Sequence, residues 1–263
     1  MSKTEIDASE APLIEHLIEL RKRLMVCIVG FVVAFIVSFI FSSDILTYLL
    51  LPFKWGTGVE DFQLISIKLL GVFLVKIKIA FFGGLFIAFP LIAVQIYRFV
   101  APGLYSHEKN AFRPYLVATP IFFLMGAGLV YFFLLPTAIG FFYALAAGTG
   151  SEGQAAIELM PDIEAYLDFV MMLILAFGLC FQLPVILTLL GHIGIVNYEQ
   201  LRAGRKFAIV GVFIVAAIVT PPDPISQLAM AIPLMGLYEV SVQAVRFLES
   251  RRKKADADRD AED

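Results

Sequence analysis

The chain has 263 residues, 60% of them hydrophobic and 16% charged, with a net charge of -3 and a pI near 5.7. Soluble domains run at roughly 45–50% apolar and about 25% charged, so the excess requires a lipid solvent. The acidic balance, with basic residues confined to loops and tails, excludes a nucleic-acid partner, and Cys27 and Cys180, both inside apolar runs, indicate neither a disulfide framework nor a metal site.

In chain order, residues 1–11 read as a flexible leader and 12–23 as a surface amphipathic helix. Leu13, Leu17, Leu20 and Leu24 recur at spacings of four, three and four, which places them on one helix face. Glu15 and Glu19 lie a turn apart on the charged side, and Arg21, Lys22 and Arg23 precede an apolar run. Pro12 suits a first helical turn, where its missing N–H costs nothing. This pattern predicts a helix that lies along a membrane surface and then turns in. Span one, Leu24 to Phe41, is too long for a signal-peptide core and lacks a small-x-small cleavage pattern, so it reads as retained.

A polar stretch from Ser42 to Leu70 follows, with Pro52, Trp55, Gly56 and Gly58 as turn and interface residues and room for some helix. Span two runs from Val72 to Val100 and span three from Tyr115 to Leu135. A loop from Pro136 to Asp162 leads to span four, Ala165 to Leu190. After a basic loop, Asn197 to Lys206, span five offers only Phe207 to Val219 before Thr220-Pro221-Pro222-Asp223-Pro224 stops it. Thirteen residues at 1.5 Å each reach roughly 20 Å, short of the bilayer core. Span six, Ile225 to Phe247, begins at the same depth, so the hairpin marks a locally thin place in the membrane. Residues 248–263 form a charged tail. Pro90, Pro120, Pro184 and Pro233 predict kinked helices and a concave bundle, and Gly83, Gly84, Gly126, Gly128 and Gly178 predict close helix contacts. The expected fold is therefore all-α: one integral membrane domain, a six-span transmembrane helical bundle over 24–247, proline-kinked and concave, with short fifth and sixth spans.

Orientation follows from Lys and Arg. Arg21, Lys22 and Arg23, then Arg98, Lys109 and Arg113, then Arg202, Arg205 and Lys206, and finally Arg251, Arg252, Lys253 and Lys254 fall on one side. The third loop has no Lys or Arg and carries Glu152, Glu158, Asp162 and Glu164. Six spans with both termini cytoplasmic satisfy the positive-inside rule, with Lys54 and Lys68 as its imperfect entries.

Enzyme motifs are absent, and His16, His107 and His192 lie in separate elements as loop or interface residues. The topology puts Glu19 and Glu108 at one membrane surface. Two fixed carboxylates there suit two guanidinium groups of a partner; equally, Glu19 pairs with Arg23 one turn on and Glu108 is a solvated loop residue. Gln182 inside span four wants a partner within the chain or from another subunit, and Thr220 and Gln227 pose the same question at the short hairpin. Asp223, between prolines, suits a turn facing water. Glu239 is expected to snorkel or to pair with Arg246.

Pro12 to Leu24, the Phe99 to Asn110 loop, Phe177-Gly178-Leu179-Cys180-Phe181-Gln182-Leu183-Pro184, and Thr220-Pro221-Pro222-Asp223 with Ser226-Gln227 and Ala231-Ile232-Pro233 together resemble the TatC family, over nearly the whole chain and in order. That resemblance implies a non-enzymatic receptor for twin-arginine signal peptides of folded cargo proteins. Such a receptor sits in the bacterial inner membrane, self-associates, and works with TatA and TatB type single-span subunits and the proton-motive force. It needs no cofactor. Glu19 and Glu108 match the family's arginine-recognising acids, and Arg21, Lys22, Phe99 and Pro52 match positions linked to recognition or architecture. Asp223 matches the acid of the last extracytoplasmic turn, and Thr220 and Gln227 match positions where a partner helix packs. Family members commonly carry glutamate where this chain has Gln182, which puts any role needing a titratable group there in doubt. The alternative from a different class is a proton-coupled small-solute or ion carrier using Gln182 and the proline-broken helices; the lack of a charged midplane cluster and of internal repeats disfavours it.

Overall fold

A computed structural model of the chain describes residues 3–60, 64–100, 113–147, 160–220 and 224–260. Its helices are α1 (Lys3–Ile40), α2 (Ser42–Thr57), α3 (Gly71–Val100), α4 (Arg113–Leu129), a π turn (Val130–Leu134), α5 (Leu135–Ala147), α6 (Ile163–Cys180), α7 (Leu183–His192), α8 (Tyr198–Val219) and α9 (Pro224–Asp260). Among the described residues there is no strand, only an isolated bridge between Ile65 and Asp162. Two compact units share the chain: Met1–Leu46 with Lys76–Pro120, and Thr47–Val75 with Ile121–Asp263.

In the first unit, α1 and α3 pack antiparallel. Small residues repeat every four positions on both: Gly30, Ala34 and Ser38 on α1, and Ala80, Gly84 and Ala88 on α3. A Cβ on Gly84 would stand 2.9 Å from the Cα of Phe35, and one on Gly83 would stand 2.8 Å from the Ser38 hydroxyl, so the two backbones meet where side chains vanish. The register continues through Gly30 against Leu91. Only 11% of the most apolar stretch of His16–Ile40 is buried, and so much bare apolar surface is tenable only in lipid. The expected surface helix and first span are one uninterrupted helix, which starts at Lys3 rather than at Pro12. Arg21, Lys22 and Arg23 are good helix formers and no glycine or proline separates them from the apolar run, so nothing turns the chain there.

In the second unit, α2 fills part of the stretch between the first two spans. Pro52, buried in its middle, has no N–H to give the Tyr48 carbonyl. That carbonyl instead accepts the Tyr131 hydroxyl at 2.6 Å, and the next one, of Leu49, accepts the Tyr166 hydroxyl at 2.8 Å. Two spans thus hold the proline-broken helix by its carbonyls. Gly56 of α2 and Gly140 of α5 meet backbone to backbone.

The loop expected from Pro136 is helical to Ala147. The π turn is the physical reason. Leu135 N–H reaches back to the Val130 carbonyl, one residue further than in an α-helix, and this widened turn lets the chain pass Pro136 without stopping. Span four instead breaks where Pro184 predicts, at Phe181–Gln182, between α6 and α7. Gly126 sits against the Phe177 carbonyl and Gly178 against the Phe123 ring, as expected, whereas a Cβ on Gly128 would meet nothing within 4 Å.

The basic loop expected up to Lys206 is helical from Tyr198, because Asn197 and Gln200 form a reciprocal capping box. Among the described residues, five helical stretches are long and apolar enough to cross a membrane: His16–Ile40, Gly71–Phe99, Pro114–Ala146, Ile163–His192 and Ser226–Arg251. The remaining span, α8, has the short apolar part expected, since Arg202, Arg205 and Lys206 occupy its first turns. The sixth span is not short. Its helix runs on past Phe247, and the 26 residues of Ser226–Arg251 suffice to cross. Leu201, Val242 and Val245 form a buried cluster, with Leu187, Tyr198 and Tyr238 against it, that joins α7, α8 and α9.

Candidate functional site

The antiparallel register of α1 and α3 carries the charged start of α1 to the far end of α3. Each step follows from the glycine contacts: Phe35 against Gly84 and Gly30 against Leu91 put residues 16–23 beside Gln95 and Phe99. The His16 imidazole stacks on the Phe99 ring, with centroids 4.2 Å apart and planes 21° from parallel. The Arg23 guanidinium bridges the helices, donating to Glu19 and, at 3.5 Å, to the Gln95 amide oxygen.

The Glu19–Arg23 pair has a specific geometry. Arg23 Nε donates to Glu19 Oε1 at 3.0 Å, and Nη2 donates to that same oxygen. Among the described residues no bond falls on Oε2. The carboxylate is therefore aimed by one guanidinium while its second oxygen is left for another donor. Its side chain is 33% exposed, so it is neither fully solvated nor shut away. Arg21 and Lys22, the next residues toward the apolar run, are exposed.

Glu108 and Asp223 lie outside the described residues. The structure brings Glu19, Phe99, Arg21 and Lys22 to one end of the α1–α3 pair. Gln182, Thr220, Gln227 and Pro52 belong to the other unit.

The polar residues of that unit have partners within the chain. Gln182 donates to the Gly178 carbonyl at 3.3 Å, Thr220 to Ala216 at 2.8 Å, and Gln227 to Phe213 at 3.5 Å. Pro52 acts through the carbonyl it frees. Glu239 does not pair with Arg246 as expected; it takes Arg205 Nη2 at 2.7 Å, and Arg246 lies over the Tyr198 ring. Arg246 is two helical turns along α9, whereas α8 delivers Arg205 at the level of Glu239.

Two features escape the sequence reading. Gln95, a lone amide in an apolar run four residues before Phe99, carries a signal of its own: i and i+4 share a face. The second is Glu164, buried at 7% side-chain exposure and paired with Lys68 at 2.6 Å. Ninety-six residues separate the two, and no local pattern joins them. Glu164 and the adjoining charge hold the Lys68 ammonium above its ordinary value.

Known proteins resemble this chain over most of its length. The family described as Sec-independent protein translocase protein (TatC) matches residues 15–233. The chain is 42% identical over 253 residues to the Sec-independent protein translocase protein TatC of Magnetococcus marinus, covering 96% of this chain and 90% of that protein. It is 38% identical to the protein so named from Escherichia coli strain K12, covering 90% and 88%. A crystal structure of the twin arginine translocase receptor TatC superposes with a TM-score of 0.73 at 34% identity, over 89% of this chain and 99% of that one. A second, of TatC in DDM, gives 0.76 at 36% identity, over 86% and 97%.

Proposed function

The chain belongs to the TatC family of Sec-independent protein translocase proteins, and from that membership we propose that it is the signal-peptide receptor of a twin-arginine translocase. The observation that supports this reading at the residue level is Glu19, aimed by Arg23 through one oxygen with the other open. A twin-arginine peptide presents two planar guanidinium forks. One donates to Glu19 Oε2 and the second to Glu108, while Phe99 and the exposed Arg21 and Lys22 shape the surroundings. The hydrophobic segment of the peptide then follows the bare apolar flank of α1 into the lipid.

The protein is a non-enzymatic membrane transport subunit. In this reading it lies in the bacterial inner membrane with both termini cytoplasmic, self-associates in the receptor complex, and draws on the proton-motive force. TatA and TatB type single-span subunits pack near Thr220, Gln227, Asp223 and Gln182, where α8 is short in apolar residues and the bilayer thins. Pro52 serves architecture through the Tyr131 and Tyr166 hydroxyls. The relatives reported above are translocase proteins and lend the solute-carrier alternative no support.

The test is binding of a twin-arginine signal peptide to the detergent-solubilised protein, with Glu19→Ala, Glu108→Ala and a twin-lysine peptide. Loss of a charge-assisted bond costs about 1.5–3 kcal/mol, so each variant should bind about tenfold to a hundredfold more weakly. Lysine, which lacks the fork, should also bind weakly. Variants that bind as well as the native chain would remove both carboxylates from the site.

A further inference from the structure

We propose that the groove between α8 and α9 binds one anionic phospholipid, with its phosphate at Arg205 and the start of an acyl chain along the helices. The inference goes beyond the receptor reading and stands without it. Arg205, Ile209 and Val212 line one wall at helical spacing, and Met235, Tyr238 and Glu239 line the other, around a cavity of about 140 Å³. The charge is all at one end. Arg205 and Glu239 pair there, with side chains 39% and 46% exposed, while Val212 lies about 10 Å further along the helix axis.

That end lies at the boundary of the hydrocarbon. Arg202 and Lys206 flank Arg205 and are exposed, and the apolar run of α8 begins at Phe207. A lipid phosphate sits at this level and an acyl chain points the way the groove runs. Nearby, Arg246 lies over Tyr198 and Arg251 over Phe247, which adds positive charge at the same end of α9.

The hydrogen-bond pattern leaves room for the phosphate. Arg205 Nε is buried and has no hydrogen-bond partner among the described residues, so donor capacity remains on a group whose fork matches phosphate oxygens. Glu239 also accepts from Gln243 at 2.8 Å, a partner it keeps when the guanidinium turns toward an anion. The Tyr238 hydroxyl is committed to the Leu201 carbonyl, which leaves its ring as apolar wall. Charge and depth select the occupant: a basic group at headgroup level with an apolar wall running on from it matches a phospholipid along its length.

The experiment uses the full chain, purified and delipidated in neutral detergent. Phosphatidylglycerol and phosphatidylcholine with the same acyl chains are added in turn, and retained lipid is counted by native mass spectrometry. The native chain should retain phosphatidylglycerol about fivefold better, the effect of one basic contact. The preference should vanish in the charge-neutral double variant Arg205→Gln with Glu239→Gln and persist in Arg202→Gln. Ile209→Phe, which crowds the groove and leaves the charges alone, should lower retention of phosphatidylglycerol and serves if the double variant does not fold. Thermal stabilisation by inorganic phosphate equal to that by phosphatidylglycerol would make this a free-anion site and overturn the lipid. Equal retention of both lipids, or equal loss in Arg202→Gln and the double variant, would overturn it as well.

Discussion

Single atoms decide several properties of this protein. Tyr131 and Pro52 show how two residues far apart in sequence depend on each other: the proline strands the Tyr48 carbonyl, and the phenol recovers it. Tyr131→Phe should therefore cost about 0.5–1.5 kcal/mol in thermal unfolding, the net worth of one exposed hydrogen bond. Adding Pro52→Ala, which restores an N–H, should recover part of that loss. Lys68 gives a pH dependence of defined sign. Its ammonium is raised above 10.5 by the hydrogen bond to Glu164 and then by that carboxylate's charge. A cation raised on folding contributes fully below 10.5, and its contribution fades as pH climbs through the folded value. Unfolding of the native chain should thus show an alkaline loss of stability beginning above pH 10.5 that is missing in Lys68→Gln.

Helices set the candidate site through register. Because Gly84 lets the Phe35 backbone approach, α1 is fixed along α3, and this brings Arg23, the partner of Glu19, to Gln95 and His16 to Phe99. Gly84→Leu must drive a side chain into backbone atoms at 2.9–3.0 Å, which cannot yield as a flexible tip does. It should destabilise by about 1–3 kcal/mol and, through the lost register, weaken binding of the twin-arginine peptide. Gly128→Ala, facing open space, is the control and should leave both unchanged. The π turn before Pro136 shows the same logic within one helix. At Pro136 the widened turn precedes the proline and the chain stays helical to Ala147.

At the scale of the molecule, the prediction concerns sidedness. With Cys27 and Cys180 replaced by serine, single cysteines at Ser66 and Ser250 should react with a membrane-impermeant thiol reagent from opposite sides of inner-membrane vesicles. Ser250 should react from the cytoplasmic side and Ser66 from the other. Labelling of both from one side would break the six-span topology, and with it the common cytoplasmic surface for Glu19 and Glu108.

Composition, apolar run length and the distribution of Lys and Arg by themselves determined the membrane class, the helical fold, the number of spans and the short apolar part of α8, because each depends on local chemistry summed along the chain. The resemblance to TatC was equally legible, and Glu19 stood out with its Arg23 partner because i and i+4 meet on any helix. Three dimensions decided the rest. The sequence reading ended span three at Pro136 and turned the chain at Arg21–Leu24; widened hydrogen bonding overruled the first, and unbroken helix the second. Glu239 chose Arg205 over Arg246, and Glu164 found Lys68, because pairing between segments follows spatial proximity, which sequence separation does not encode. That Arg23 also reaches Gln95, and His16 the Phe99 ring, is likewise a matter of register between α1 and α3, which the packing of glycine against backbone sets.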